Sequence, residues 1–127
     1  MAGLMVDTDV LIDYLRDQLQ AATFLESLEE PPRVSVVSVA ELFAGVRDGA
    51  EREALEGMLS VCRVVDLSYE TAMLGGLFRR DYGKSHGIGL ADALIAASAR
   101  QQGCRLATLN VKHYPLFDQT FAPYQKG

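Results

Sequence analysis

Three carboxylates and one amide stand where an apolar run gives way to a helix or a loop. Asp7 follows Leu4-Met5-Val6, Glu41 comes shortly after the run Val34 to Val37, Asp92 heads an apolar stretch, and Asn110 lies just past Arg105 to Thr108. Carboxylates are hard oxygen donors of the kind Mg²⁺ takes, usually with several waters and a substrate phosphate completing its shell. Gathered together they repel one another unless a cation lies between them, and with cations they suit in-line displacement at phosphorus. Phosphodiester hydrolysis is therefore the chemistry these residue types favour, if the fold brings them together.

The elements that must position them can be read from periodicity. Leu4 to Val6 reads as a strand passing into a helix through Val10, Leu11, Ile12, Tyr14 and Leu15. A second helix is predicted over Leu19 to Leu28, ending before Pro31-Pro32, and Val34 to Val37 as a second strand. Ser38 is placed to cap a helix that carries Glu41 in its first turn. An acidic helix over Glu51 to Leu59, a strand over Arg63 to Leu67 and a helix from the Ser68 cap towards Tyr82 come next. Gly83 to Gly89 reads as a loop, Leu90 to Gln102 as a buried helix stopped by Gly103, Arg105 to Thr108 as a strand, and Phe121 as part of a last weak strand. Strands alternating with helices imply an α/β domain with a parallel sheet covered on both faces, whose ligands bind beyond the carboxyl ends of its strands. Asp7, Glu41 and Asn110 follow strand ends, and Asp92 in a first turn can join them.

Each acid also has a purely structural reading. Asp7 suits a helix N-cap, Asp92 a first-turn acid facing the helix dipole, and Glu41 the partner of Ser38 in a Ser-x-x-Glu capping box. Capping does not account for three acids converging on one edge of the sheet. At 127 residues the chain is predicted to be one domain over 1–127, and 49% hydrophobic with 23% charged residues marks a globular composition. A net charge of −5 argues against a surface that binds nucleic acid through a broad basic footprint. Cys62 and Cys104 form no disulfide framework or C-x-x-C pair, no run is long enough to span a bilayer, and no basic segment with an apolar run opens the chain. A cytoplasmic protein with no membrane contact is the expectation.

Four segments are more specific together than any one alone: Val6-Asp7-Thr8-Asp9-Val10-Leu11-Ile12-Asp13, Ser38-Val39-Ala40-Glu41-Leu42, Gly89-Leu90-Ala91-Asp92-Ala93-Leu94-Ile95-Ala96 and Thr108-Leu109-Asn110-Val111-Lys112-His113-Tyr114. In order and spacing, over nearly the whole length, the chain resembles PIN-domain ribonucleases of the VapC type. The resemblance implies a three-layer α/β/α sandwich, an Mg²⁺ or Mn²⁺ site, and a ribonuclease toxin that cuts RNA and so inhibits translation. It also implies a VapB-like antitoxin as partner and a homodimer. Asp7, Glu41 and Asp92 match the family's acids, while Asn110 stands where many relatives carry a fourth. An amide oxygen can bind the ion or hold its water but adds no charge. Asn110 is thus a catalytic candidate, and Asp7, Glu41 and Asp92 are both catalytic and metal-ligating candidates.

Thr8, Asp9, Thr108, Arg80, Lys84 and His113 are candidates for contacts to substrate or to the ligating acids; most basic residues of this kind are solvated surface charges. Asp7-Thr8-Asp9-Val10 after an apolar strand also resembles the first motif of haloacid-dehalogenase-type phosphatases, with Ser38 as a second element, but the Lys and the late acidic pair of those enzymes are missing. Gly83-Lys84-Ser85 lacks the earlier glycine and preceding strand of a P-loop. A module that docks RNA or an antitoxin without cutting is the non-enzymatic alternative.

Overall fold

The computed structural model describes residues 3–125. Its elements run β1 (Leu4–Val6), α1 (Thr8–Leu15), α2 (Leu19–Glu26), β2 (Arg33–Ser35), α3 (Val36–Ala44), α4 (Ala50–Ser60), β3 (Arg63–Val65), α5 (Tyr69–His86), α6 (Leu90–Gln101), β4 (Arg105–Ala107), a 3₁₀ turn (Val111–His113) and β5 (Thr120–Phe121). The strands form one sheet in the order β3-β2-β1-β4-β5, all parallel. Side chains alternate across a strand. Met5 accordingly packs with Phe78, Ile88 and the buried alanines of α6, whereas its neighbour Val6 packs with Val10, Leu11, Leu42 and Leu55. Helices α5 and α6 thus cover one face and α1, α2 and α4 the other, with α3 reaching both, as a three-layer α/β/α sandwich requires.

The chain leaves β1 towards β2 on one side and returns to β4 on the other, so strand order reverses between β1 and β4. At such a switch point the loops diverge and open a crevice beyond the carboxyl ends. The register pairs Val6 with Ala107, which sets Asp7 opposite Thr108 at that opening. Asp7 N–H still bonds Ala107 C=O (2.9 Å) and Thr108 N–H bonds Phe121 C=O (3.0 Å), so both residues are anchored by the ladder.

Three sequence expectations are corrected. The cap of α3 is Ser35, whose hydroxyl accepts from Val37 N–H, and β2 stops at that residue instead of reaching Val37. Ser38 lies inside the helix, fully buried, and Glu41 is a turn too far along to close a capping box. The segment from Gly83 is not a loop either: α5 continues to His86 and stops at Gly87, which adopts φ 68°. Only a residue without a Cβ takes that left-handed conformation at little cost, so the helix ends there. The third strand is also shorter than the run Arg63 to Leu67, ending at Val65.

Candidate active site

Asp7 is the N-cap of α1, and it is buried, so the structural reading of that acid is correct as far as it goes. Its carboxylate does more than cap. Oδ1 accepts from Thr8 N–H (2.8 Å), while Oδ2 accepts from the Thr108 hydroxyl (2.8 Å) and the Tyr114 hydroxyl (2.9 Å). Three donors hold it, from three places in the chain. Thr8 turns the other way, its hydroxyl 2.8 Å from both Glu41 Oε1 and Ser38 Oγ. A hydroxyl has one proton and a carboxylate can only accept, so Glu41 is the acceptor that orients Thr8. Ser38, which sequence reasoning placed at a cap, is instead part of the floor beneath Glu41.

Asp9 reaches back over the loop that follows β4. Its Oδ1 accepts from Val10 N–H (2.8 Å) and its Oδ2 from Leu109 N–H (2.9 Å). Thr108 Oγ1 lies 3.5 Å from that Oδ2 and accepts from Asn110 N–H at 3.0 Å. Burial, and after it the charge of Asp7, pushes the Asp9 carboxyl up to about 6. Both its oxygens are engaged with backbone, which suits a residue that fixes the loop and not the mobile acid a phosphatase needs beside its nucleophile.

Asp92 sits in the first turn of α6, half-buried. Its carboxyl is raised above the ordinary range, most by burial, then by Asp7 and by Glu41. A helix N-terminus acting alone lowers an acid's pKa. Here burial, and after it the charges of Asp7 and Glu41, outweighs that effect. Tyr114, buried at 2% exposure, donates its hydroxyl proton to Asp7 Oδ2, and its phenol is pushed far above the usual tyrosine value by burial and then by the charge of Asp7. His113 Nδ1 lies 3.9 Å from Asp92 Oδ2, out of solvent and with no hydrogen-bond partner. Asn110 is exposed at the crevice mouth, next to Leu109.

The structure therefore brings Asp7, Thr8, Asp9, Glu41, Asp92, Thr108 and His113 together, with Asn110 at the edge. It does not bring in Arg80 or Lys84: Arg80 on exposed α5 donates to Asp81 Oδ1 (2.8 Å), and Lys84 is exposed a turn further on. No group of three or more His, Cys, Asp and Glu side chains that could hold a metal ion is formed among the described residues. The donor set nevertheless fits an ion of the Mg²⁺ type, which keeps its waters and needs only one or two carboxylates before a phosphate arrives. Hard carboxylate oxygens gathered beyond the carboxyl ends of the strands are the chemistry that makes the fit. Tyr114 went unassigned in the sequence because an aromatic in a loop reads as packing. The available clue was its hydroxyl, since a buried phenol must find a partner.

The PIN domain model matches residues 4–115 of the chain. This protein belongs to the PIN-domain family. Ribonuclease VapC10 of Mycobacterium tuberculosis is 44% identical to this PIN-domain protein over 124 residues, covering 95% of this chain and 92% of the relative. Ribonuclease VapC19 of the same species is 37% identical, over 94% and 98% of the two chains. Among solved structures, FitAcB from Neisseria gonorrhoeae aligns with a TM-score of 0.76 at 29% identity, over 94% of this chain and 97% of that one. A toxin–antitoxin complex from Klebsiella pneumoniae aligns with a TM-score of 0.83 over 98% and 100%; at 23% identity it bears on the fold alone.

Proposed function

We propose that this PIN-domain protein is a metal-dependent endoribonuclease, the toxin of a toxin–antitoxin pair, with Asp7, Glu41 and Asp92 as its metal-holding acids. The single observation that carries the reading is the placement of these acids at the β1–β4 switch point: Asp7 and Glu41 are joined through Thr8, and Asp92 stands in the first turn of α6. The ribonuclease names of VapC10 and VapC19 support the substrate class.

A bound Mg²⁺ or Mn²⁺ supplies Lewis acidity at a phosphoryl oxygen and a more acidic water. The chain's own residues prepare for it. Thr8, Thr108 and Tyr114 fix the rotation of Asp7, Asp9 ties down the loop that carries Asn110, and Glu41 and Asp92 complete an acidic wall. Asn110, whose amide oxygen can accept from a water, is the fourth corner in this reading. The expected partner is a VapB-like antitoxin segment. A groove of about 710 Å³ between α1, α2 and α4, lined by Leu11, Tyr14, Leu15, Leu25 and Met58, supports it. Homodimerisation belongs to the same reading, and exposed Tyr69, Met73 and Leu77 give α5 an apolar stripe for it. No helix among the described residues is long and apolar enough to cross a membrane.

RNA cleavage by the purified protein is expected to require Mg²⁺ or Mn²⁺ and to stop in EDTA. Asp7→Asn, Glu41→Gln and Asp92→Asn are each expected to lower the rate 100-fold or more, on the order of 3 kcal/mol of barrier, with circular dichroism unchanged. Full activity in chelator would sink the metal reading. RNA binding without cleavage under every divalent ion would instead favour the docking module.

A further inference from the structure

We propose that Tyr114 is a positioning residue of this site, whose buried hydroxyl, donating to Asp7 Oδ2, holds that carboxylate in the rotation that accepts a divalent cation. The inference rests on the metal-nuclease reading above. The ring is fixed from both sides. Tyr114 N–H bonds Val111 C=O (3.0 Å), Phe117 N–H bonds Tyr114 C=O (3.1 Å), and the ring packs in the cluster that includes Ile88, Leu106 and Phe117. A hydroxyl on a ring so held has little freedom in where it points.

What it does to Asp7 follows from counting lone pairs. Each carboxylate oxygen accepts about two hydrogen bonds. Oδ2 receives Thr108 at 2.8 Å and Tyr114 at 2.9 Å and is filled, whereas Oδ1 receives Thr8 N–H alone. One acceptor direction therefore remains on Asp7, and it belongs to Oδ1. Tyr114 selects which oxygen stays available. The phenol keeps its proton in this acidic setting and acts only as a donor.

Partners that orient metal ligands typically change metal affinity 10- to 100-fold when removed. Tyr114→Phe preserves the ring and its packing while deleting the hydroxyl. Calorimetric titration of the intact protein with Mn²⁺ is expected to show at least about ten-fold weaker binding, and cleavage of RNA should recover towards the wild-type rate as Mn²⁺ is raised to saturation. Phe117→Leu, in the same core cluster but without contact to the acids, provides the control: it should lower the melting temperature and leave Mn²⁺ affinity where it was. If Tyr114→Phe does not fold, Tyr114→Met fills the space without a donor and takes its place. The inference is overturned if the Tyr114 variant binds Mn²⁺ like wild type, or if Phe117→Leu weakens binding equally. Wild-type protein that neither binds Mn²⁺ nor cleaves RNA overturns both the inference and the reading beneath it; a wild type that does both, with an indistinguishable Tyr114 variant, removes the inference alone.

Discussion

Asp9 shows how a side chain can serve the site without facing it. Its carboxyl is raised from 3.8 to about 6, by burial first and by Asp7 second. An acid raised in the folded state binds its proton more tightly there than in the unfolded chain. Its contribution is therefore favourable below the unfolded value and is lost as pH rises from about 4 to about 6, with no further change above. The full shift corresponds to about 3 kcal/mol, and solvent reaching this half-buried group reduces that to the order of 1–2 kcal/mol. In EDTA, the melting temperature of Asp9→Asn minus that of wild type is expected to increase across this window, even though the amide loses one backbone hydrogen bond and shifts the whole curve down. A difference that stays constant with pH would mean the charge of Asp9 carries no strain. The acids themselves were legible because each borders an apolar run. Tyr114 and Ser38 were not, because their partners lie 107 and 30 positions away and only the closed sheet brings them together.

At the scale of elements, the helix pair α5–α6 carries Asp92, and its closeness depends on one glycine. The sequence Gly75-Gly76 reads as weakness in the middle of a helix, yet α5 runs through both. A Cβ on Gly75 would lie 3.0 Å from Leu94 Cα and 2.5 Å from its Cδ2, whereas one on Gly76 meets nothing within 4 Å. Backbone cannot yield as a side-chain end can, so Gly75→Ala is expected to destabilise by about 1–3 kcal/mol and to push α6 away from α5. Gly76→Ala, on the solvent side, should stabilise by about 0.5–1 kcal/mol through helix propensity alone. Urea unfolding of the two variants gives opposite signs if the packing is as described; equal effects would remove the close crossing. The predicted loop from Gly83 is helical without burial: Lys84, Ser85 and His86 are exposed, and the turn is closed by Gly87 N–H on Gly83 C=O (3.0 Å) and by the Tyr82–His86 ring contact (6.0 Å between centroids). Gly83 and Gly87 are both stop signals in the sequence, and only the left-handed turn at Gly87 chooses between them. The cap of α3 was misplaced by three residues for a related reason: Ser35 and Ser38 are equivalent as sequence signals, and only the end of the ladder at Ser35 chooses between them.

For the whole molecule, the alternation of strands and helices made the parallel sheet legible, and the carboxyl-end rule then pointed to the candidate site. The order β3-β2-β1-β4-β5 was not legible, since nothing in a short apolar run says which neighbour it joins, and that order decides which acids meet. The net charge of −5 has a consequence at this scale. An RNA approaching the molecule meets a repulsive far field, so attraction must come from the cations at the crevice and from few side-chain contacts to phosphate. Each phosphate neutralised by a protein cation contributes about 0.7 to the slope of log affinity against log salt for single strands. Two such contacts give a slope near 1.4, and a basic footprint covering six gives about 4. With Mn²⁺ held at saturation, log KM for a single-stranded RNA is therefore expected to rise with log [KCl] at a slope below about 2. With KCl fixed, KM should fall as Mn²⁺ fills the site. A slope of about 4 would place binding on a basic surface, with Arg79, Arg80, Lys84 and Lys112 the residues to neutralise next, and would mean that the crevice supplies the chemistry but not the hold on substrate.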